Sequence, residues 1–345
     1  MKLLSIIIPT YNMEKYLDRC LSSLVVDDKD LLDTLDVLII NDGSRDKSTQ
    51  IGQHYQTSYP NTFRLIDKEN GNYGSCINRG LSEAQGLFMK VLDADDYFDT
   101  RNLVKLLNLL TETTADCIIS DMNKVLEDGK ITDCISFNLP TNKNFAIQDL
   151  GEAAWNMWMH CVCYRTENLR RINYHQTEGI SYTDQELICL PMSTVTEIAY
   201  LPHVVYNYLV GRKGQTVDLE VWEQNFYQEI EGVKAMMVEE KNLYPECSEA
   251  GHQYINLRIA RRVYNIYNAY FTKFKSFINN DLMVEFDQYL KQYSTTLYNA
   301  QDEDKVLKVF HYVTHWRKNY TPDTLYLNTI RILSNLVHKL KYEYK

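Results

Sequence analysis

Five short apolar runs alternate with helical patterns from Leu3 through Ser120, and this rhythm sets the fold class. Leu3 to Ile8 is a continuous apolar run, as expected of a strand covered on both faces, and Pro9-Thr10-Tyr11-Asn12 breaks it. From Glu14 to Leu24, the apolar residues Tyr16, Leu17, Leu21 and Leu24 recur at helical spacing and predict a helix. A second strand, Asp36 to Ile40, closes in Asn41-Asp42-Gly43-Ser44, and a helix over 48–59 stops before Pro60. Strands at 63–66, 87–92 and 117–120 with helices at 75–84 and 102–111 complete the series. Strand–helix alternation of this kind predicts an α/β fold with a mostly parallel sheet covered on both sides.

The rhythm fades after Ser120. Glu127-Asp128-Gly129-Lys130 predicts a hairpin turn, and 151–213 is mixed and rich in aromatics and Met. From 214 onward five helical patterns follow, over 220–241, 253–277, 280–293, 303–317 and 323–341. The expected division is therefore 1–213 as an α/β domain and 214–345 as a helical region.

A net charge of −10 speaks against nucleic acid as a partner, because phosphate binding relies on clustered Lys and Arg. An anionic substrate would need a cation or helix N-termini instead. The eight cysteines are scattered, with Cys161-Val-Cys163 the tightest pair and no Cys-x-x-Cys, which predicts reduced, buried thiols in a cytosolic protein. The chain enters its first strand directly after Met1-Lys2, and no apolar stretch reaches the roughly 18 residues of a membrane span. The amphipathic pattern over 323–341, with Arg331, Lys339 and Lys341, suits packing against neighbouring helices or peripheral contact with an anionic membrane.

In open α/β sheets ligands bind beyond the carboxyl ends of the strands. Four polar clusters fall there: Pro9 to Asn12, Asn41 to Ser44, Asn70 to Ser75, and Asp93-Ala94-Asp95-Asp96. Carboxylates two residues apart at a strand end can share one hard divalent cation, which in turn can hold a diphosphate. The first turn has no Gly-x-Gly-x-x-Gly and the chain has no Walker loop, so dinucleotide and P-loop readings fail.

Taken in order, Ser5 to Asn12, Val37 to Asp46, Glu69 to Leu81 and Val91 to Asp96 resemble the signature blocks of the family-2 glycosyltransferases with the GT-A fold. The resemblance implies an inverting, metal-dependent glycosyltransferase of the bacterial surface-polysaccharide type. It would move a sugar from a nucleotide-diphosphate sugar, most simply a UDP-sugar, to a hydroxyl of a glycan or lipid-linked acceptor. Thr10, Tyr11 and Glu14 would line the nucleoside, Asp42 would accept from the base, and Asn72 and Ser75 would approach the donor. Asp93 would face the ribose and share Mn²⁺ or Mg²⁺ with Asp95, the more direct metal ligand, with Asp96 as the alternative. Cys76-Ile77-Asn78 departs from the family's frequent Ala-Arg-Asn, and Asn41-Asp42 from its Asp-Asp.

The same resemblance makes Asp184, in Thr183-Asp184-Gln185-Glu186, the catalytic base, with Glu186 as runner-up. Asp184 also reads simply as an acidic residue at a helix start. Arg212 and Lys213 would meet a diphosphate or an anionic acceptor, or form a solvated basic turn. Trp155 and Trp158 suit sugar stacking or core, and His160 the acceptor side or a structural role. The enzyme is expected in the cytoplasm or at the inner face of the membrane. The rival readings are a nucleotidyltransferase and a non-catalytic sugar-nucleotide-binding scaffold; donor sugar, acceptor and oligomeric state stay open.

Overall fold

The structure, a computed structural model, describes residues 1–212, 219–243, 247–274, 279–302 and 311–322, with isolated positions beyond. It forms two compact units: Met1–Lys213 together with Ala235–Arg258, and Gly214–Lys234 together with Ile259–Lys345.

The first unit is built on β1 (Leu4–Thr10), β2 (Leu35–Asn41), β3 (Phe63–Asp67) and β4 (Phe88–Val91). β1 lies between β2 and β4, with Ile6 opposite Val37 on one side and Lys90 on the other, and β3 adds to β2. All these pairings are parallel. Every residue of β2 is buried, which is why its run carries no polar alternation. Helices α1 (Leu17–Ser22), α2 (Lys29–Leu32), α3 (Ser48–Ser58), α4 (Asn72–Glu83) and α5 (Thr100–Glu112) make the connections. The side chain of Asp99 caps α5 by accepting from Asn102 N at 3.0 Å. Gly80 lets α4 lie close on β1, since a Cβ there would run into the side chain of Ile7.

The sheet continues with β5 (Tyr97–Phe98), β6 (Cys117–Val125), β7 (Ile131–Ile135), β8 (Phe145–Ala146), β9 (Val162–Arg165) and β10 (Glu197–Leu209). Its order is β3-β2-β1-β4-β9-β6-β10-β5, with β7 on β6 and β8 on β10. β9 is antiparallel to both β4 and β6, so β6 and its parallel neighbour β10 run in the same direction as β1 to β4. The carboxyl ends of these strands and the start of β9 therefore share one edge. The expected hairpin turn joins β6 and β7. Short helices α6 (Glu152–Asn156), α7 (Thr166–Arg171) and α8 (Asp184–Cys189) fill the second half of the unit. The cysteines are free thiols; six are buried as expected, but Cys134 is exposed and Cys247 half-buried, and burial pushes the thiols of Cys161 and Cys163 up to about 12, which leaves them unreactive.

The later helices are α9 (Leu219–Gln224), α10 (Phe226–Leu243), α11 (Glu249–Asn268), α12 (Asn280–Tyr293) and α13 (Thr295–Asn299), with a last turn at Tyr312–Trp316. In the second unit Asp287, fully buried, accepts from Tyr267 Oη at 2.6 Å and Tyr320 Oη at 3.0 Å, and pairs with Arg317 at 2.6 Å. Phe271 stacks on Tyr312 and meets Trp316 edge-on, so part of the dense tyrosine content of this region is core. Of the helix expected over 303–317 only the last turn is described. The amphipathic pattern over 323–341, and with it the peripheral membrane contact, lies outside the described residues apart from isolated positions.

Candidate active site

Four loops meet along the shared edge, held by a chain of hydrogen bonds. Thr10, buried at the end of β1, accepts through its carbonyl from Asp42 N at 2.9 Å. Asn12, in left-handed backbone at φ 54°, accepts from Arg45 N at 2.8 Å and donates from its own N to Ser44 Oγ at 3.0 Å. Glu14 is exposed and accepts from Lys47 N at 3.0 Å; Tyr11 leaves 46% of its surface to solvent. The first two loops are thus latched together.

Asp42 extends the latch to the third loop. Its carboxylate accepts from Gly71 N and Asn72 N, each at 3.0 Å, and from Lys68 Nζ at 2.7 Å. Asn72 has φ 66°, a conformation that Asn tolerates better than most residues, and it opens α4. Ser75 Oγ donates to Asn72 O at 2.7 Å and accepts from Lys68 Nζ at 2.9 Å. One residue further, Tyr73 Oη donates to Asp93 Oδ1 at 2.8 Å, which joins the third loop to the fourth. Thr10, Tyr11, Glu14, Asp42, Asn72, Ser75 and Asp93 therefore lie along one continuous rim.

The acidic tip is shaped from behind by β10. Tyr206 Oη donates to Asp96 Oδ2 at 2.6 Å and accepts from Asp93 N at 3.0 Å, while Leu209 N donates to Asp96 Oδ1 at 2.7 Å. Asp96 is fully buried, and burial with the charges of Asp95 and Asp93 pushes its carboxyl well up from the ordinary range. Asp95 turns its carboxylate to Arg212, 2.8 Å away, and its carbonyl to Arg19 Nη2 at 2.8 Å. Asp93 faces His160, whose Nε2 is 3.7 Å from Oδ2. His160 sits at this edge because β9, which follows it, runs against its neighbours. Lys90 Nζ, itself buried, donates to the carbonyls of His160 and Val162 at 2.7 and 3.0 Å and fixes that segment.

Ligand atoms of Asp93, Asp96 and His160 lie within 4.8 Å of one another. His160 is 6% exposed, and its Nδ1 is buried without a hydrogen-bond partner. An oxygen-rich set with one imidazole fits a divalent cation such as Mn²⁺ or Mg²⁺. The family resemblance implies an ion on Asp95 and Asp93, with Asp96 as the alternative ligand. The structure gathers Asp93 with Asp96 and His160, and sets Asp95 against Arg212.

Asp184 opens α8, half-buried, and accepts from Gln185 Nε2 at 2.9 Å. The preceding loop is tied to α4: Asn78 Nδ2 donates to Gln176 O at 2.9 Å, and Gln176 N donates to Asn78 Oδ1 at 2.8 Å. Burial first, then the charge and hydrogen bond of Asp93, with smaller contributions from the charges of Asp184 and Asp96, hold the Tyr73 hydroxyl well above its ordinary range. Glu186 is buried and accepts from Thr177 N at 2.8 Å, holding the loop. Trp158 lies under Lys124 Nζ, 4.9 Å from the ring centre, and Trp155 stays 39% exposed. An open depression of about 510 Å³ between Glu14, Asp18, Gln50 and His54 shares only Glu14 with the rim and holds no group of the acidic tip.

Lys68, Tyr73, Lys90 and Tyr206 support the site without being among the expected site residues. Lys90 leaves a signal in the sequence as a charge inside the apolar run Leu87 to Leu92, and Tyr206 falls in Val205-Tyr206-Asn207-Tyr208, a segment that resembles one following the base block of the family.

A mixed, mostly parallel sheet carrying polar loops at one edge and an acidic tip after β4 is a GT-A type fold. The model described as glycosyl transferase family 2 matches residues 5–172, so this segment of the chain is similar to that family. The chain is 26% identical over 217 residues to the minor teichoic acid biosynthesis protein GgaB of Bacillus subtilis, covering 61% of this chain and 23% of that protein. Its identity to the uncharacterized glycosyltransferase MG025 homolog of Mycoplasma pneumoniae is 42% over 98 residues, covering 28% and 32% of the two chains. With the uncharacterized glycosyltransferase EpsJ of Bacillus subtilis it shares 26% over 189 residues, 53% of each. The chain thus spans from 23% to 53% of the length of these relatives. Among solved structures, S. aureus TarS 1-349 in complex with UDP-GlcNAc superposes with a TM-score of 0.73 at 20% identity, covering 97% of this chain and 92% of that one. That likeness establishes the shared fold.

Proposed function

We propose that this protein is an inverting glycosyltransferase that moves a sugar from a UDP-sugar to a hydroxyl of a glycan or lipid-linked acceptor in surface-polysaccharide synthesis. The observation that carries this reading is the hydrogen-bonded rim from Thr10 through Asp42 and Asn72 to Asp93, at one sheet edge with Asp95 close by. The fold shared with a UDP-GlcNAc-bound structure and the likeness to a teichoic acid biosynthesis protein support the donor and acceptor classes.

Residues 1–213 carry the chemistry in this reading, and 214–345 form a helical region. Asp42, held by Lys68 Nζ, Gly71 N and Asn72 N, is an acceptor-only carboxylate that suits the N3–H donor of uracil. Thr10, Tyr11 and Glu14 border the nucleoside, and Tyr11 offers an exposed ring to the base. Asn72 and Ser75 shape the approach to the sugar, and Asp93 takes the ribose side. Asp95 and Asp93, with His160 beside them, would hold Mn²⁺ or Mg²⁺, which supplies charge neutralisation for the diphosphate leaving group. Asp184, at the start of α8, takes the proton of the acceptor hydroxyl. The acceptor oxygen bonds to the anomeric carbon opposite the departing diphosphate, and the configuration inverts.

No described helix is long and apolar enough to cross a membrane. We place the enzyme in the cytoplasm or at the inner membrane face on the strength of its donor and acceptor classes. The test is a panel of nucleotide sugars offered to the full chain with Mn²⁺, reading cation-dependent thermal shifts and UDP release. Pyrophosphate chemistry in place of UDP release would transfer the protein to the nucleotidyltransferases. Donor binding without any turnover on glycan acceptors would leave a scaffold.

A further inference from the structure

Arg212 donates through Nε and Nη2 to a single oxygen, Oδ2 of Asp95, at 3.1 and 2.8 Å. The pair is largely shielded, with side-chain exposures of 26% for Arg212 and 12% for Asp95. The guanidinium also lies over the Tyr16 ring, 5.5 Å from its centre. Its place is fixed from β10, because three residues earlier Leu209 N is bonded to Asp96. The end of this strand therefore clamps two of the three carboxylates of the tip, one through backbone and one through a full positive charge.

A divalent ion and a guanidinium cannot share one shielded carboxylate oxygen without strong repulsion. A guanidinium is also well matched to phosphate oxygens, which it can grip through two parallel N–H bonds. We propose that Arg212 is an internal counter-cation that competes with the divalent ion for Asp95, so that ion and donor diphosphate bind cooperatively. The diphosphate draws the guanidinium away as the ion takes the carboxylate. By linkage, each ligand then raises the affinity for the other by the same factor. The inference rests on the reading above that Asp95 serves the metal.

The test titrates Mn²⁺ into the full-length protein without nucleotide, and again with saturating UDP, following the loss of the free-ion electron paramagnetic resonance signal. Wild type, Arg212→Gln, Arg212→Lys and Asp95→Asn are compared after circular dichroism has verified each fold. Arg212→Gln is expected to bind Mn²⁺ alone on the order of tenfold more tightly than wild type. UDP should then strengthen Mn²⁺ binding far less in this variant than in wild type. Arg212→Lys keeps a cation and should stay near wild type. If Arg212→Gln binds Mn²⁺ alone no better than wild type while Asp95→Asn loses it, the metal role stands and the counter-cation is overturned. If Asp95→Asn binds Mn²⁺ as wild type does, the metal assignment itself falls, and this inference with it.

Discussion

The carbonyl of Thr177 occupies the space that a Cβ on residue 74 would need. Gly74 lies in the first turn of α4, next to Tyr73, which joins the third loop to Asp93, and Thr177 lies in the loop leading to Asp184. Contact between the two loops thus depends on a missing side chain. Gly74→Ala should destabilise the fold by about 1–3 kcal/mol, since backbone has to move. It should also reduce turnover more than UDP binding, because the displaced segment is the one that carries Asp184. Equal losses in both, measured by thermal denaturation, calorimetry and UDP release, would argue against this coupling.

Asp184→Asn keeps the shape of the side chain and removes its basicity. Transfer is expected to fall on the order of a hundredfold or more, with UDP affinity unchanged. Glu186→Gln should act differently, because Glu186 is buried and accepts from Thr177 N. It should lower the melting temperature first. A turnover loss confined to Glu186→Gln would exchange the two roles.

Removing the carboxylate of Asp42 leaves Gly71 N, Asn72 N and Lys68 without their shared acceptor. Asp42→Ala should destabilise the first unit by about 3 kcal/mol or more, the scale for breaking a buried charge pair. UDP binding should be lost at temperatures where the variant is still folded. Retained UDP affinity would refute the place of Asp42 in the nucleoside site.

Chelation by EDTA, or Asp95→Ala, should abolish the stabilisation that nucleotide sugar confers in a thermal-shift assay. His160→Ala should instead narrow the preference for Mn²⁺ over Mg²⁺, because imidazole suits the former and Mg²⁺ prefers oxygen. An unaltered preference would place His160 outside the ion's surroundings.

Asp116 offers a pH test away from the site. Burial, the largest influence, pushes its carboxyl up, but hydrogen bonds from Thr196 N, Thr196 Oγ1 and Glu197 N together outweigh it and hold it below the usual range. A carboxylate with a lowered folded-state value adds stability above its unfolded value, near 3.9, and loses it as pH falls through the folded one. The difference in stability between wild type and Asp116→Asn should be full at neutral pH and shrink below about pH 4. A constant difference across that range would show that the carboxylate's charge is not involved.

The parallel half of the sheet was legible because strands buried on both faces leave unbroken apolar runs. The strand expected at 36–40 is observed at Leu35–Asn41, and the one at 63–66 at Phe63–Asp67. The helix expected from Glu14 starts only at Leu17, since the chain must first turn through Asn12 at positive φ. β10 was missed. Pro202 interrupts its pattern, and register shifts between Leu201 and Tyr206 carry the strand past the break. The polar clusters at 10, 42, 72 and 93 were readable because strand ends in a parallel sheet must share an edge. Their supports, Tyr206 under Asp96 and Lys90 under His160, depend on pairings far apart in sequence that no local spacing reveals.

Tyr206 and Leu209 complete the acidic tip, although the matched family segment ends at residue 172. During synthesis, the aspartates emerge from the ribosome more than a hundred residues before their hydrogen-bond donors. Until then the nascent chain holds unscreened carboxylates that must stay in water. A fragment cut at the boundary of the matched segment would therefore be missing the groups that allow its own acidic turn to be buried.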